Sequence, residues 1–224
     1  MTGVKMTVEL KAYKYDPISK NAPQQLVILL HGLGSDGRDL IELAPLFGQF
    51  LPDAVFVSPD APFPCDMSPM GYQWFSLQER TEETVLAGVQ KAAPVLDSFI
   101  TRQMEIFNIP AAKTALVGFS QGTMMGLYTA PRFPDALAGV LGYSGALIGS
   151  GDLATSSDIH KIPVHLIHGD RDDVVPVDRC HQAKTVLEKS GFKVTGEITA
   201  GLTHSIDQAG IISGGQFLQR ILTK

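Results

Sequence analysis

Gly118-Phe119-Ser120-Gln121-Gly122 sets a serine between two glycines, directly after the apolar run Thr114-Ala115-Leu116-Val117. A hydroxyl is a weak nucleophile. To transfer an acyl group it must stand clear of the backbone, beside a base and within reach of N–H donors. A sharp strand-to-helix turn achieves this, and it needs glycine on both sides because side chains there would strike the neighbouring chain. The helix that follows aims its first free N–H groups at negative charge developing in front of it. The bland reading of the same residues is a tight turn with a capping serine, and a chain with 22 glycines can produce this pattern by chance. What decides is whether an acid and then a histidine follow, the order this turn requires.

Both follow. The apolar run Val164 to Ile167 leads into His168-Gly-Asp-Arg-Asp-Asp-Val-Val-Pro176, where Asp170, Asp172 and Asp173 leave the strand end. Asp172 stands midway between Gly169 and Val175, so the loop can project it while Val174 and Val175 anchor in the core. Asp170 could instead cap the turn and Asp173 the segment entering Pro176, so order alone leaves the three open. Further on, Gly201-Leu-Thr-His204-Ser205 sits between a strand and the last helix. Of six histidines, His204 alone follows the acid on such a loop. His165 and His168 lie in or at the end of an apolar strand and read as hydrogen-bonded packing residues, while His160 and His181 read as surface positions. Such a trio would work as nucleophile Ser120, base His204 and an orienting aspartate.

The remaining requirement is a place for the oxyanion. Leu26 to Leu30 ends in His31-Gly-Leu-Gly-Ser-Asp36, whose glycines allow a tight turn that leaves backbone N–H groups unpaired. Leu33 N–H and Gln121 N–H are the donors this arrangement suggests.

These groups must be positioned by a scaffold, and the patterning supplies one. Val8 to Tyr15 alternates as an edge strand, whereas Leu26 to Leu30 and Ala54 to Ser58 are continuous apolar runs suited to inner strands. Asp60 to Trp74 is rich in Pro, Met and aromatics and reads as an irregular segment. Thr81 to Phe107 has a helical period with a kink or break expected at Pro94, and Thr123 to Arg132 reads as a second helix. Strands are expected near 137–141, 164–167 and 193–199, with helices near 177–189 and 207–222. Strands alternating with helices imply an α/β fold, its mostly parallel central sheet covered by helices on both faces and its chemistry at the strands' carboxyl ends.

Composition fits one such domain over residues 1–224, with 44% hydrophobic and 18% charged residues. A net charge of −5 without a Lys/Arg cluster argues against nucleic acid or an anionic membrane surface as partner. No apolar run has signal-peptide or bilayer-spanning length, so no stable membrane insertion is expected. Cys65 and Cys180 lie far apart, flank no metal-ligand spacing and read as free thiols in a reducing cytoplasm. Neither metal nor cofactor is called for. A homodimer is compatible with the sequence but not required by it.

Taken together, His31-Gly-Leu-Gly-Ser-Asp36, Gly118-Phe-Ser-Gln-Gly122, His168-Gly-Asp-Arg-Asp-Asp-Val-Val-Pro176 and Gly-Leu-Thr-His204 resemble the phospholipase/carboxylesterase family of α/β-hydrolases, which includes the acyl-protein thioesterases. Trp74-Phe75 after a Pro-rich stretch is similar too. The resemblance implies a metal-free serine hydrolase of small-molecule esters or thioesters, with Ser120, Asp172 and His204 as catalytic residues and Leu33 and Gln121 as oxyanion donors. Asp173 departs from the family, where Pro often follows the acid. Segment 65–71 has no clear counterpart. Met67, Met70, Trp74 and Phe75 are the expected acyl-binding residues, their alternative being simple packing on the sheet edge. The expected substrates are short-to-medium carboxylic esters. The alternatives are a long-chain thioesterase or lysophospholipase and a hydrolase-fold binding protein without chemistry.

Overall fold

A computed structural model describes residues 9–223. The chain builds β1 (Ala12–Tyr15), β2 (Gln25–Leu30), α1 (Gly37–Ile41), α2 (Ala44–Gly48), β3 (Ala54–Pro59), a small hairpin of β4 (Phe63–Pro64) and β5 (Tyr72–Gln73), and α3 (Glu82–Phe107). It continues with β6 (Thr114–Phe119), α4 (Gln121–Arg132), β7 (Gly139–Tyr143), β8 (Val164–Gly169), α5 (Asp178–Lys189), β9 (Val194–Thr199) and α6 (Gln208–Leu222). Seven strands form one sheet in the order β1-β3-β2-β6-β7-β8-β9. Only β1 runs antiparallel, against β3.

The inner strands are the ones with continuous apolar sequence, because both of their faces are covered. Leu26, Ile28 and Leu30 of β2 pack with Val89, Leu96 and Ile100 of α3 and Met125 and Leu127 of α4. The alternate residues Val27 and Leu29 pack on the opposite side with Phe47, Phe217, Leu218 and Leu222. Each such fully buried side chain contributes about 1.5–3 kcal/mol relative to exposure. The outer strand β9 is largely exposed, in keeping with its polar Thr-Gly-Glu centre. Phe119, Tyr143 and Ile167 lie in register across β6, β7 and β8. Ser120, Ser144 and His168 are therefore the next residues of three neighbouring strands at one edge of the sheet.

Several expectations shift. The run that begins at Val8 is strand only over Ala12–Tyr15, and Val8 itself lies outside the described residues. The α3 helix runs unbroken through Pro94. Pro94 and Gln90, whose carbonyl loses its partner, are both exposed, so water can replace the missing bond. The seventh strand occupies Gly139–Tyr143, two residues beyond the apolar run, and Leu137 packs in the core ahead of it. The irregular segment contains the β4–β5 hairpin. Helices α1 and α2 escape periodicity because five residues are too few to display it.

A half-buried carboxyl on α3 lacks compensation. Asp97 on α3 has its Oδ1 buried without a hydrogen-bond partner, and burial pushes the carboxyl up to about 6. The folded state therefore disfavours the ionised form. No penalty applies where the unfolded carboxyl is also protonated; it grows as pH rises and is complete above about 6. Asp97→Asn should raise the melting temperature at pH 8, and the gain should vanish at pH 4. Thermal melts at the two pH values check this.

Candidate active site

Ser120 closes β6 and caps α4 with φ 54° and ψ −116°, outside the basins open to ordinary residues. The flanking glycines are sterically required. A Cβ on Gly118 would lie 2.4 Å from Thr123 N, and one on Gly122 would lie 1.8 Å from Leu30 O. Ser120 N–H donates to Tyr143 O at 2.9 Å. Thr123 Oγ1 lies 2.8 Å from the carbonyl oxygens of both Gly118 and Tyr143, bracing the turn from inside. Ser144, the serine ending the adjacent strand, also has positive φ (48°) and is buried with its hydroxyl unpartnered.

The loop after β2 passes directly over this turn, where a Cβ on Gly32 would stand 3.3 Å from Ser120 Cβ. Gly34 N–H donates to Tyr72 O and Ser35 N–H to Gly32 O. Among the described residues Leu33 N–H, between them, has no backbone acceptor. Gln121 N–H is the first of α4 and has no acceptor within the helix. His31 holds the loop in shape: its Nε2 accepts from Ala61 N–H at 2.9 Å, and its Nδ1 lies 2.7 Å from Gly32 O. Only the Nδ1–H tautomer satisfies both, and burial lowers the imidazole's proton affinity, which favours that neutral form.

Of the three aspartates, Asp172 is buried, whereas Asp170 and Asp173 are exposed. Asp172 Oδ2 lies 2.8 Å from His204 Nδ1, and its Oδ1 accepts from Val174 N–H at 3.0 Å and Val175 N–H at 2.8 Å. Burial alone would raise this carboxyl. The His204 hydrogen bond and the Val175 and Val174 N–H groups outweigh it and hold Asp172 below the ordinary carboxylate range. Asp170 Oδ1 instead accepts from Gly201 N–H at 2.6 Å, tying the acid's loop to the loop that carries His204. With Nδ1–H committed to Asp172, the Nε2 lone pair of His204 is available to accept a proton. The His204 ring also packs on Phe119, centroids 4.8 Å apart, beside the residue that precedes Ser120.

The expected acyl-binding residues divide. Trp74 is fully buried and Phe75 is 2% exposed, so these two are core residues with little surface to offer a substrate. Trp74 Nε1–H donates to His31 O at 3.0 Å. Met67 and Met70 are 50% and 77% exposed. Met70 overlooks a shallow depression of about 290 Å³ whose other walls are Gly34, Ser35, Asp36, Asp39 and Gly71. What ties this segment to the turn is the Gln121 side chain, which sequence patterning does not reveal. Its Oε1 accepts from Trp74 N–H and its Nε2 donates to Phe75 O, both at 2.8 Å. Among the described residues, no group of three His, Cys, Asp or Glu side chains is arranged to hold a metal ion, and no helix is long and apolar enough to cross a membrane.

The phospholipase/carboxylesterase family model matches residues 18–222. The esterase YpfH of Escherichia coli is 32% identical over 184 residues, covering 82% of this chain and 77% of that protein. Acyl-protein thioesterase 1 of Schizosaccharomyces pombe is 27% identical, covering 97% and 99%. Among solved structures, that of esterase PE8 superposes with a TM-score of 0.89 at 41% identity, covering 96% of this chain and all of that one.

Replacing Gln121 by Met keeps its bulk and its backbone N–H but strips two buried main-chain groups of their partners. Gln121→Met should lower stability by about 2–5 kcal/mol. Urea denaturation measures the loss, and a change below about 1 kcal/mol would mean that water replaces both bonds.

Proposed function

The chain belongs to the phospholipase/carboxylesterase family of α/β-hydrolases, and from that premise we propose that it is a serine carboxylesterase with Ser120, His204 and Asp172 as nucleophile, base and acid. The observation that carries this reading is the 2.8 Å hydrogen bond from His204 Nδ1 to buried Asp172, on loops at the same sheet edge as the strained Ser120 turn. Ser120 Oγ attacks the acyl carbonyl as His204 Nε2 takes its proton. Asp172 fixes the imidazole tautomer and stabilises the imidazolium. The N–H groups of Leu33 and Gln121 hold the oxyanion. His204 then protonates the leaving alcohol, and water repeats the sequence to free the acid and restore Ser120.

Short-to-medium acyl groups suit the surface beside Ser120. The core takes Trp74 and Phe75, which leaves the exposed Met67 and Met70 as the apolar side chains the 63–75 segment offers an acyl chain. A second reading, hydrolysis of long-chain thioesters, is favoured by the thioesterase relative in Schizosaccharomyces pombe, which aligns with nearly the whole chain. A cytoplasmic location fits the two free cysteines. Burial pushes the Cys180 thiol up to about 11, which keeps it unreactive.

Treatment with a fluorophosphonate should place one adduct on the peptide containing Ser120, and Ser120→Ala should fold normally yet lose labelling and nearly all esterase activity. Mass spectrometry reads the site. An adduct at Ser144 would move the nucleophile to the neighbouring strand.

Across nitrophenyl esters, kcat/KM should climb about fourfold per added methylene while the chain finds apolar surface, then fall beyond medium length. A rise continuing to palmitate, or a preference for palmitoyl thioesters, selects the second reading.

A further inference from the structure

Asp172 is shared by two histidines. Besides His204, its Oδ2 lies 3.2 Å from His168 Nε2, and both side chains of this second pair are essentially inaccessible to solvent. The same Nε2 lies 2.7 Å from Val175 O. Both neighbours are acceptors, a carbonyl and a carboxylate, so Nε2 carries the proton; its hydrogen bond goes to Val175 O, and Asp172 Oδ2 stands beside that N–H as a close polar contact. The carboxylate thus accepts from three donors, Val174 N–H and Val175 N–H on Oδ1 and the His204 imidazole on Oδ2, with the N–H edge of His168 close against Oδ2. His168 is the penultimate residue of β8, paired with Ile198 of β9, so it is anchored in the sheet whereas His204 rides on a loop.

We infer that His168 is a positioning residue for the acid: its Nε2–H, bonded to Val175 O, holds the loop whose N–H groups grip Oδ1, and its positive edge against Oδ2 sets how that oxygen faces His204. This rests on Asp172 being the catalytic acid. The physical reasoning is geometric and electrostatic together. The Val174 and Val175 N–H groups fix one oxygen, but the carboxylate can still pivot about that anchor. The N–H dipole of His168 close beside the second oxygen restrains that pivot. It also offsets part of that oxygen's charge, which tempers the stabilisation of the His204 imidazolium.

Other ionisable groups on the packed elements do not bond Asp172. Asp170, Arg171 and Asp173 of its own loop are exposed. Asp207 at the start of α6 accepts from Gly210 N–H, Tyr143 of β7 donates to Gly210 O, and Glu197 of β9 accepts from Ser213.

The test compares His168→Phe, which keeps the ring without a donor, with His168→Gln, which restores an amide N–H, and with Asp172→Asn. His168→Phe should lower kcat about ten- to a hundredfold with KM nearly unchanged. It should also move the acid limb of the kcat/KM profile to higher pH, because Oδ2 then turns its full charge on His204. His168→Gln should recover most of the rate. A folded His168→Phe with wild-type kcat and pH profile would overturn the inference and leave the triad standing. An Asp172→Asn enzyme of normal rate would overturn the triad itself. Should the Phe variant fail to fold, nitrogen NMR of wild-type protein with labelled histidine decides: His168 protonated at Nε2, its signal shifting in Asp172→Asn, supports the assignment, and the Nδ1–H tautomer refutes it.

Discussion

Ser120 keeps φ 54° and ψ −116° because the chain on either side leaves it no relaxed alternative. Such a backbone costs about 1–3 kcal/mol and survives only where its surroundings over-determine it. Here β6 is locked between β2 and β7, α4 is packed against the sheet through Met125 and Leu127, and Thr123 braces the carbonyls within the turn. The position of every other group at the sheet edge is defined relative to that turn. Gly32 passes it so closely that a Cβ would press on Phe119 and Ser120, His31 shapes the passing loop, and the Gln121 side chain reaches out from it to the 63–75 segment.

Half-buried Asp97 and buried Asp172 show how little burial alone says about charge. Asp97 and Asp172 both lose hydration, yet their proton affinities move in opposite directions. Asp97 Oδ1 has no hydrogen-bond partner, so desolvation decides and the neutral acid is favoured. Asp172 accepts from the His204 imidazole and from the Val175 and Val174 N–H groups, which together exceed the desolvation cost. The second arrangement makes a permanent anion in an environment nearly free of water, where its pull on a neighbouring imidazole is least screened.

Much of the fold is legible in the sequence because both signals involved are local. Continuous apolar runs at 26–30, 54–58 and 164–167 become doubly covered strands, and the glycine pair around Ser120 marks a turn with few other physical causes. The approach of His204 to Asp172 is anticipated by chain order, though the choice among Asp170, Asp172 and Asp173 needed the burial that only the folded chain defines. What stays hidden is tertiary. Gln121 meets Trp74 and Phe75 across more than forty residues, and no spacing rule announces it. His168 stands one turn's spacing from Asp172, but as part of a strand and loop that spacing carries no meaning until the loop folds back. Trp74 and Phe75 mislead for a related reason: aromatics in a Pro-rich segment look available to a ligand, and here the core takes them.

The Gln121 clasp grips only main-chain atoms of residues 74 and 75. An amide that recognises peptide N–H and C=O is indifferent to which side chains those peptides carry. The attachment therefore behaves like a socket of fixed shape. Neighbouring positions out to the exposed Met67 and Met70 can be rewritten in bulk or polarity while the segment docks at the same depth and angle beside the nucleophile turn.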